Sequence, residues 1–140
     1  MGLSLYDSAS RGNVRFAPAD PERVRIYTCG PTVYRYAHIG NLRTYLLTDL
    51  LVRTLRFLGY GTFAVQNITD MGHMHQEQLE AGEDKVIAAA RAAGKSGREI
   101  ARFFTEAFFR DGRRMAFLPA DAYPRASEHV PEMIALVSAL

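Results

Sequence analysis

At 140 residues, 48% hydrophobic and 23% charged, the chain has the composition of an ordinary globular domain with enough apolar material for a core. Its net charge of +2 is too small to point by itself to nucleic acid or a membrane surface, and its single cysteine excludes an internal disulfide. No basic-then-apolar leader opens the chain and no apolar run approaches the roughly 20 residues that span a bilayer, so a cytoplasmic location is expected.

In chain order, residues 3–7 and 13–16 alternate weakly around Ser10-Arg11-Gly12, which predicts a small hairpin. Pro18 and Pro21 break the chain before a buried strand over 23–28. A helix is expected from about Gly40 to about Leu58, with Leu42, Tyr45, Leu46, Leu50 and Phe57 on one side. Leu47, Leu51, Leu55 and Leu58 widen that stripe, so most of this helix is expected to be packed, and Gly59 suits its C-terminal cap. Residues 62–68 read as a second strand.

Strand, helix and strand in this order form a βαβ unit with parallel strands that end side by side. Cys29 and Gly30 then lie near Asn67, Thr69 and Asp70, which predicts one shared pocket at the sheet edge. The loop between the first strand and the helix holds two glycines, a proline and His38. It leads into a helix N-terminus, whose unpaired N–H groups favour an anion, and His38 is placed to donate to a phosphate.

Past Asp70 the pattern lapses over residues 71–77. Residues 86–93 predict an alanine-rich helix closed by Gly94, and Ser96-Gly97-Arg98-Glu99 is a capping box. The helix behind it is expected to bury Ile100, Phe103, Phe104, Ala107 and Phe108 and to expose Arg102, Glu106 and Arg110. Residues 118–125 are extended or turn-like, and Ser127 is expected to cap a final helix with Pro131 in its first turn. By residue type alone, Cys29 suits a small buried core position and His38 a helix-start histidine bonded to backbone, while Thr69 and Asp70 suit turn caps.

Five blocks carry a resemblance: Tyr27-Thr28-Cys29-Gly30-Pro31-Thr32-Val33-Tyr34, Ala37-His38-Ile39-Gly40-Asn41, Arg43-Thr44-Tyr45, Asn67-Ile68-Thr69-Asp70 and Pro124-Arg125-Ala126-Ser127. In order, over nearly the whole chain, they resemble the N-terminal catalytic region of cysteinyl-tRNA synthetases, a family of class I ligases. His38-Ile39-Gly40-Asn41 is similar to the variant of the class I His-Ile-Gly-His signature common in that family.

The resemblance implies an α/β fold with a Rossmann-like parallel sheet followed by helices, residues 1–118 being the N-terminal part of the catalytic domain and 119–140 its truncated continuation. It implies ATP-dependent activation of cysteine and transfer of the cysteinyl group to its tRNA, with no membrane and no stable protein partner. Cys29 matches a zinc ligand, a soft thiolate suited to zinc and to selecting cysteine over serine. Gly30 and Thr69 match positions lining the amino-acid pocket. His38, Gly40 and Asn41 match the ATP-binding signature, with His38 and Asn41 as the catalytic pair that steadies the phosphates alongside magnesium. No general base is implied, because the substrate carboxylate is already the nucleophile.

Two features depart from the family pattern. Arg35 stands where an acidic residue is usual, and residues 71–82 interrupt the run from Thr69-Asp70 to Glu83-Asp84-Lys85. His73 and His75 in that interruption read either as partners of Cys29 in an alternative metal site or as histidines of a solvated loop. Arg110, Arg113 and Arg114 read either as a tRNA-phosphate contact or as a solvated face. The family's other zinc ligands, its Lys-Met-Ser-Lys-Ser loop and its anticodon-binding helices do not occur in this sequence. The alternatives are therefore a stand-alone nucleotide-binding or regulatory module, or the related ligase that joins cysteine to an amino-sugar inositol.

Overall fold

Short strands open the chain. In the computed structural model, which describes residues 2–71 and 90–140, β1 (Ser4–Asp7) pairs antiparallel with β2 (Gly12–Arg15) as the expected hairpin. The Asp7 carboxylate closes its turn by accepting from the Ser10 amide at 2.8 Å.

β3 (Val24–Thr28) runs parallel to β4 (Thr62–Gln66), with Val24 opposite Thr62 and Thr28 opposite Gln66. Parallel neighbours need a long crossover, and α1 (Ile39–Phe57) supplies it. Leu58 caps α1, and Gly59 follows at φ +87°, the left-handed conformation in which helices often stop. β4 ends at Gln66, two residues short of the expected Ile68. Beyond it the chain still makes isolated parallel bridges, Thr32 to Thr69 on one side and Ile68 to Arg125 on the other.

The second of these bridges belongs to a ladder. Gln66 N donates to Ala122 O at 3.0 Å, Ile68 N to Pro124 O at 2.8 Å and Ala126 N to Ile68 O at 3.0 Å. Residues 121–125 are thus extended, as expected, and line the side of β4 away from β3.

α2 (Gly97–Arg114) begins at the predicted capping box: Ser96 Oγ accepts from Glu99 N, and the Glu99 carboxylate accepts from Ser96 N at 2.9 Å. Ile100, Ala101, Thr105, Ala107 and Phe108 are buried on its inner side, while Arg102, Glu106 and Arg110 face solvent. Phe103 departs from expectation. It is 44% exposed and packs edge-on against Tyr36 and Phe104, with the Lys95 ammonium over its ring. Residues 90–93 end a helix, and Gly94 follows at φ +63°; residues 86–89 of that expected helix lie outside the described residues.

Two expectations are corrected. α1 buries only one stripe, Tyr45, Asp49, Val52 and Leu55, whereas Leu46, Leu47, Leu50 and Phe57 are exposed, Phe57 at 84%. The sheet and α2 lie against one side of α1, so its wide apolar stripe does not translate into burial all round. Ser127 caps no α-helix. It sits in a 3₁₀ turn (Ala126–Glu128), and α3 (Val130–Ala139) starts after His129, with Pro131 in its first turn as expected. Ser127 is drawn away by Asp70, which accepts from its amide at 2.9 Å and its hydroxyl at 2.7 Å.

The core gathers Val33, Tyr45, Ile68, Ala90, Ile100, Ala101 and Phe108. Val33 belongs to the loop after β3 and Ile68 to the loop after β4, and each is only 1% exposed. Both loops at the C-terminal sheet edge are therefore pinned by a buried side chain of their own. Asp49 adds a polar tie: it accepts from Leu118 N and from Arg53 Nε, each at 2.7 Å, and Arg53 also donates to Ala116 O at 2.7 Å.

Candidate active site

The two post-strand loops are sewn together by backbone. Thr69 N donates to Pro31 O at 3.0 Å, and Val33 N donates to Thr69 O at 3.1 Å. Between them Gly30 N donates to the Asn67 side-chain oxygen at 2.8 Å. A Cβ at position 30 would fall 1.6 Å from the Asn67 carbonyl oxygen, so only glycine fits there. The predicted meeting of Gly30 with Asn67 and Thr69 at one sheet edge is what the fold contains.

Cys29 is exposed and directs its thiol to the Gly30 carbonyl at 3.6 Å. Structural zinc takes four ligands, and catalytic zinc takes three protein ligands with one position left open. Among the described residues no three His, Cys, Asp or Glu side chains are grouped to hold a metal. These residues therefore do not complete a zinc site. His73 and His75, the alternative partners, lie outside the described residues.

His38 is the N-cap of α1, in extended backbone at φ −92° and ψ 171°. Its Nδ1 accepts from Gly40 N at 3.1 Å and from Asn41 N at 3.4 Å, while the Asn41 side chain accepts from His38 N at 3.2 Å. The box is reciprocal, with histidine and asparagine in the places that serine and glutamate often take. It also uses N–H groups that the open helix end was expected to offer to an anion. An imidazole that accepts at Nδ1 carries its hydrogen on Nε2, and that is the hydrogen it can give to a ligand. Gly40 leaves room for the ring: a Cβ there would sit 2.9 Å from His38 Cε1.

A cavity of about 250 Å³ opens beside these loops, walled in part by Gly30, Thr32, Tyr34, Arg35, Asn41 and Tyr45. Gly30 and Asn41 share it; Cys29, His38, Gly40 and Thr69 are not part of its wall. Arg35, the departure noted in the sequence, lays its guanidinium over the Tyr34 ring at 5.2 Å from the centroid, a cation–π contact. A second cavity of about 290 Å³, mostly apolar, lies between α1, β4 and the end of α2, and Tyr45 and Phe108 separate the two. Burial, and secondarily the charge of Cys29, push the Tyr45 hydroxyl up to about 12.

Thr69 and Asp70 point to different tasks. Thr69 Oγ1 accepts from Asn67 Nδ2 at 3.0 Å, next to Gly30. Asp70 is a structural tie, holding Ser127 and lying 3.8 Å from Arg125 Nη1.

The profile describing the tRNA synthetases class I (C) catalytic domain matches residues 15–140. The chain belongs to this family. Cysteine–tRNA ligase of Treponema denticola is 47% identical over 137 residues, 98% of this chain and 28% of that protein. The ligase of Borrelia garinii subsp. bavariensis is 51% identical over all 140 residues, and that of Chlamydia trachomatis serovar D is 45% identical over the same span. The chain thus covers about a quarter of the length of its class I synthetase relatives.

Sequence reasoning brought Gly30 and Thr69 to one sheet edge and put His38 at the start of α1, and it overlooked how they are held. Asn67 was expected only as a neighbour, yet its side chain touches Gly30, Thr69 and the Tyr27 hydroxyl, the last at 3.1 Å. An asparagine at a strand end beside a glycine of the paired strand is the signal that would have identified it. Among the described residues no helix is long and apolar enough to cross a membrane.

Proposed function

We propose that this chain is the N-terminal part of the catalytic domain of a cysteine–tRNA ligase, with residues 1–118 the first portion of a Rossmann-like sheet and 119–140 its continuation. The observation that carries the reading is 45–52% identity to cysteine–tRNA ligases across the residues that form the loop pair and the His38–Asn41 cap. The parallel β3–α1–β4 unit, with the candidate residues at its C-terminal edge, supports it further.

In this reading a carboxylate oxygen of cysteine attacks the α-phosphorus of ATP, the bond to pyrophosphate breaks, and the cysteinyl group then passes to a 3′-terminal hydroxyl of its tRNA as AMP leaves. His38 offers its Nε2 hydrogen to a phosphate oxygen while its Nδ1 keeps α1 started. Asn41 holds His38 in place and lines the cavity, and Gly40 admits the ring. Gly30 and Thr69 border the amino acid. Magnesium accompanies ATP as part of the substrate, and the setting is cytoplasmic. Cys29 is the one thiol in this sequence available to a metal.

The test is cysteine-dependent ATP–pyrophosphate exchange by the full-length gene product. His38→Ala is expected to lower the exchange rate by about 10²–10³-fold, the usual cost of losing a donor to developing charge. His38→Asn replaces the ring nitrogen with a side-chain oxygen as the N-cap acceptor and so is expected to preserve thermal stability while losing exchange to a similar extent. Wild-type exchange in His38→Asn would remove the histidine from the reaction.

A further inference from the structure

The Asn67 side chain hydrogen-bonds both Gly30 and Thr69. Its orientation is fixed by chemistry. Gly30 N is a donor, so the atom it meets at 2.8 Å has to be the amide oxygen, and the Tyr27 hydroxyl at 3.1 Å donates to the same oxygen. The amide nitrogen is then left for Thr69 Oγ1 at 3.0 Å, and a nitrogen of this kind only donates. The Thr69 hydroxyl is therefore engaged as an acceptor. Its own hydrogen meets no acceptor among the described residues, and the residue is half-buried at the loop edge.

We propose that Asn67 is a positioning residue that sets the polarity of Thr69. By occupying a lone pair of the hydroxyl it turns the hydrogen outward, so that Thr69 donates to an anionic group of the bound amino acid, its carboxylate or its thiolate. The proposal rests on the amino-acid-activating role argued above. Asn67 acts through Thr69, and its contacts to Gly30 and Tyr27 keep the amide from flipping.

Asn67→Asp separates this role from simple clasping. The carboxylate still accepts from Gly30 N and Tyr27 Oη, but it can only accept from Thr69, which reverses the hydroxyl. Exchange by the full-length gene product is expected to show a cysteine KM raised by about tenfold or more, the scale of a lost hydrogen bond to a charged group. The ATP KM stays within about twofold. Thr69→Val is expected to raise the cysteine KM alike, and Asn67→Asp adds nothing to it in the double variant.

That last comparison also tests whether the new negative charge alone repels the substrate, because the charge remains when Thr69 is gone. Competition by cysteamine, a thiol without a carboxylate, and by 2-aminobutyrate, a carboxylate without a thiol, tells which anionic group Thr69 meets: the variant weakens only the inhibitor that carries it. An Asn67→Asp effect of equal size in both backgrounds overturns the proposal, as does one that moves both KM values alike. A folded wild-type product with no cysteine-dependent exchange overturns the activating role itself, and the proposal with it.

Discussion

A histidine that starts a helix and a histidine that meets a phosphate are usually rival readings of one residue; the capping at His38 uses one ring nitrogen and leaves the other open. Nδ1 serves the backbone of Gly40 and Asn41, which leaves Nε2 with the hydrogen. Residue type and position made both readings legible in the sequence, because capping is a local matter of spacing. The clasp at Asn67 was not legible, since it depends on a partner 37 residues away. Tyr45 carries a testable consequence at this scale. Its hydroxyl is raised from 10.0 to about 12, chiefly by burial. The folded state therefore holds a proton that the unfolded chain gives up first. Stability contributed by this group is complete below pH 10 and declines as pH rises from there toward 12. Tyr45→Phe is expected to flatten that alkaline decline in chemical unfolding measured across the same range.

Among the elements, boundaries were easier to read than burial. The start of α2 follows from Ser96 and Glu99, and the end of α1 from Gly59, each set by residues within a turn of the boundary. Which faces are covered depends on what packs nearby, and α1 shows the difference: Leu47 and Leu50 are as apolar as Leu55 yet remain exposed. Ser127 failed as a predicted cap for a similar reason, since Asp70 competes for it from the other loop. The Ser96 box makes a quantitative prediction. Ser96→Ala is expected to cost about 1 kcal/mol in unfolding free energy, the usual worth of an N-cap. The Glu99 carboxylate, held below its ordinary 4.5 mainly by the Ser96 hydroxyl, contributes stability above that pH and loses it as acid protonates the folded form. The cost of Ser96→Ala should therefore shrink in acid, and urea titrations at neutral and at low pH measure it.

For the molecule as a whole, the parallel β3–β4 pair and its crossover were readable from strand, helix and strand spacing. The ladder formed by residues 121–126 was not, because Pro124 and the lack of alternation disguise it. Pro124 brings no N–H, but its carbonyl still accepts from Ile68 N. α3 exposes Met133, Ile134, Leu136 and Val137 together, and α1 exposes Leu46, Leu47, Leu50 and Phe57. Large apolar stretches on a surface mark contact regions. Their presence accords with a chain that spans about a quarter of its relatives' length.

The bonds that sew the two post-strand loops together also decide when the site exists during folding. None of them can form before the crossover closes, and bringing together ends 37 residues apart costs roughly 3 kcal/mol in chain entropy. The loops hold one another, so each amide that bridges them is released by the same opening. Native-state hydrogen exchange should give Gly30, Val33 and Thr69 one common opening free energy, close to that of the β3–β4 ladder. If Gly30 exchanged orders of magnitude faster than Val33 and Thr69, the edge would open piecemeal. A shared value means that the pocket is gained and lost in one step with the parallel pair.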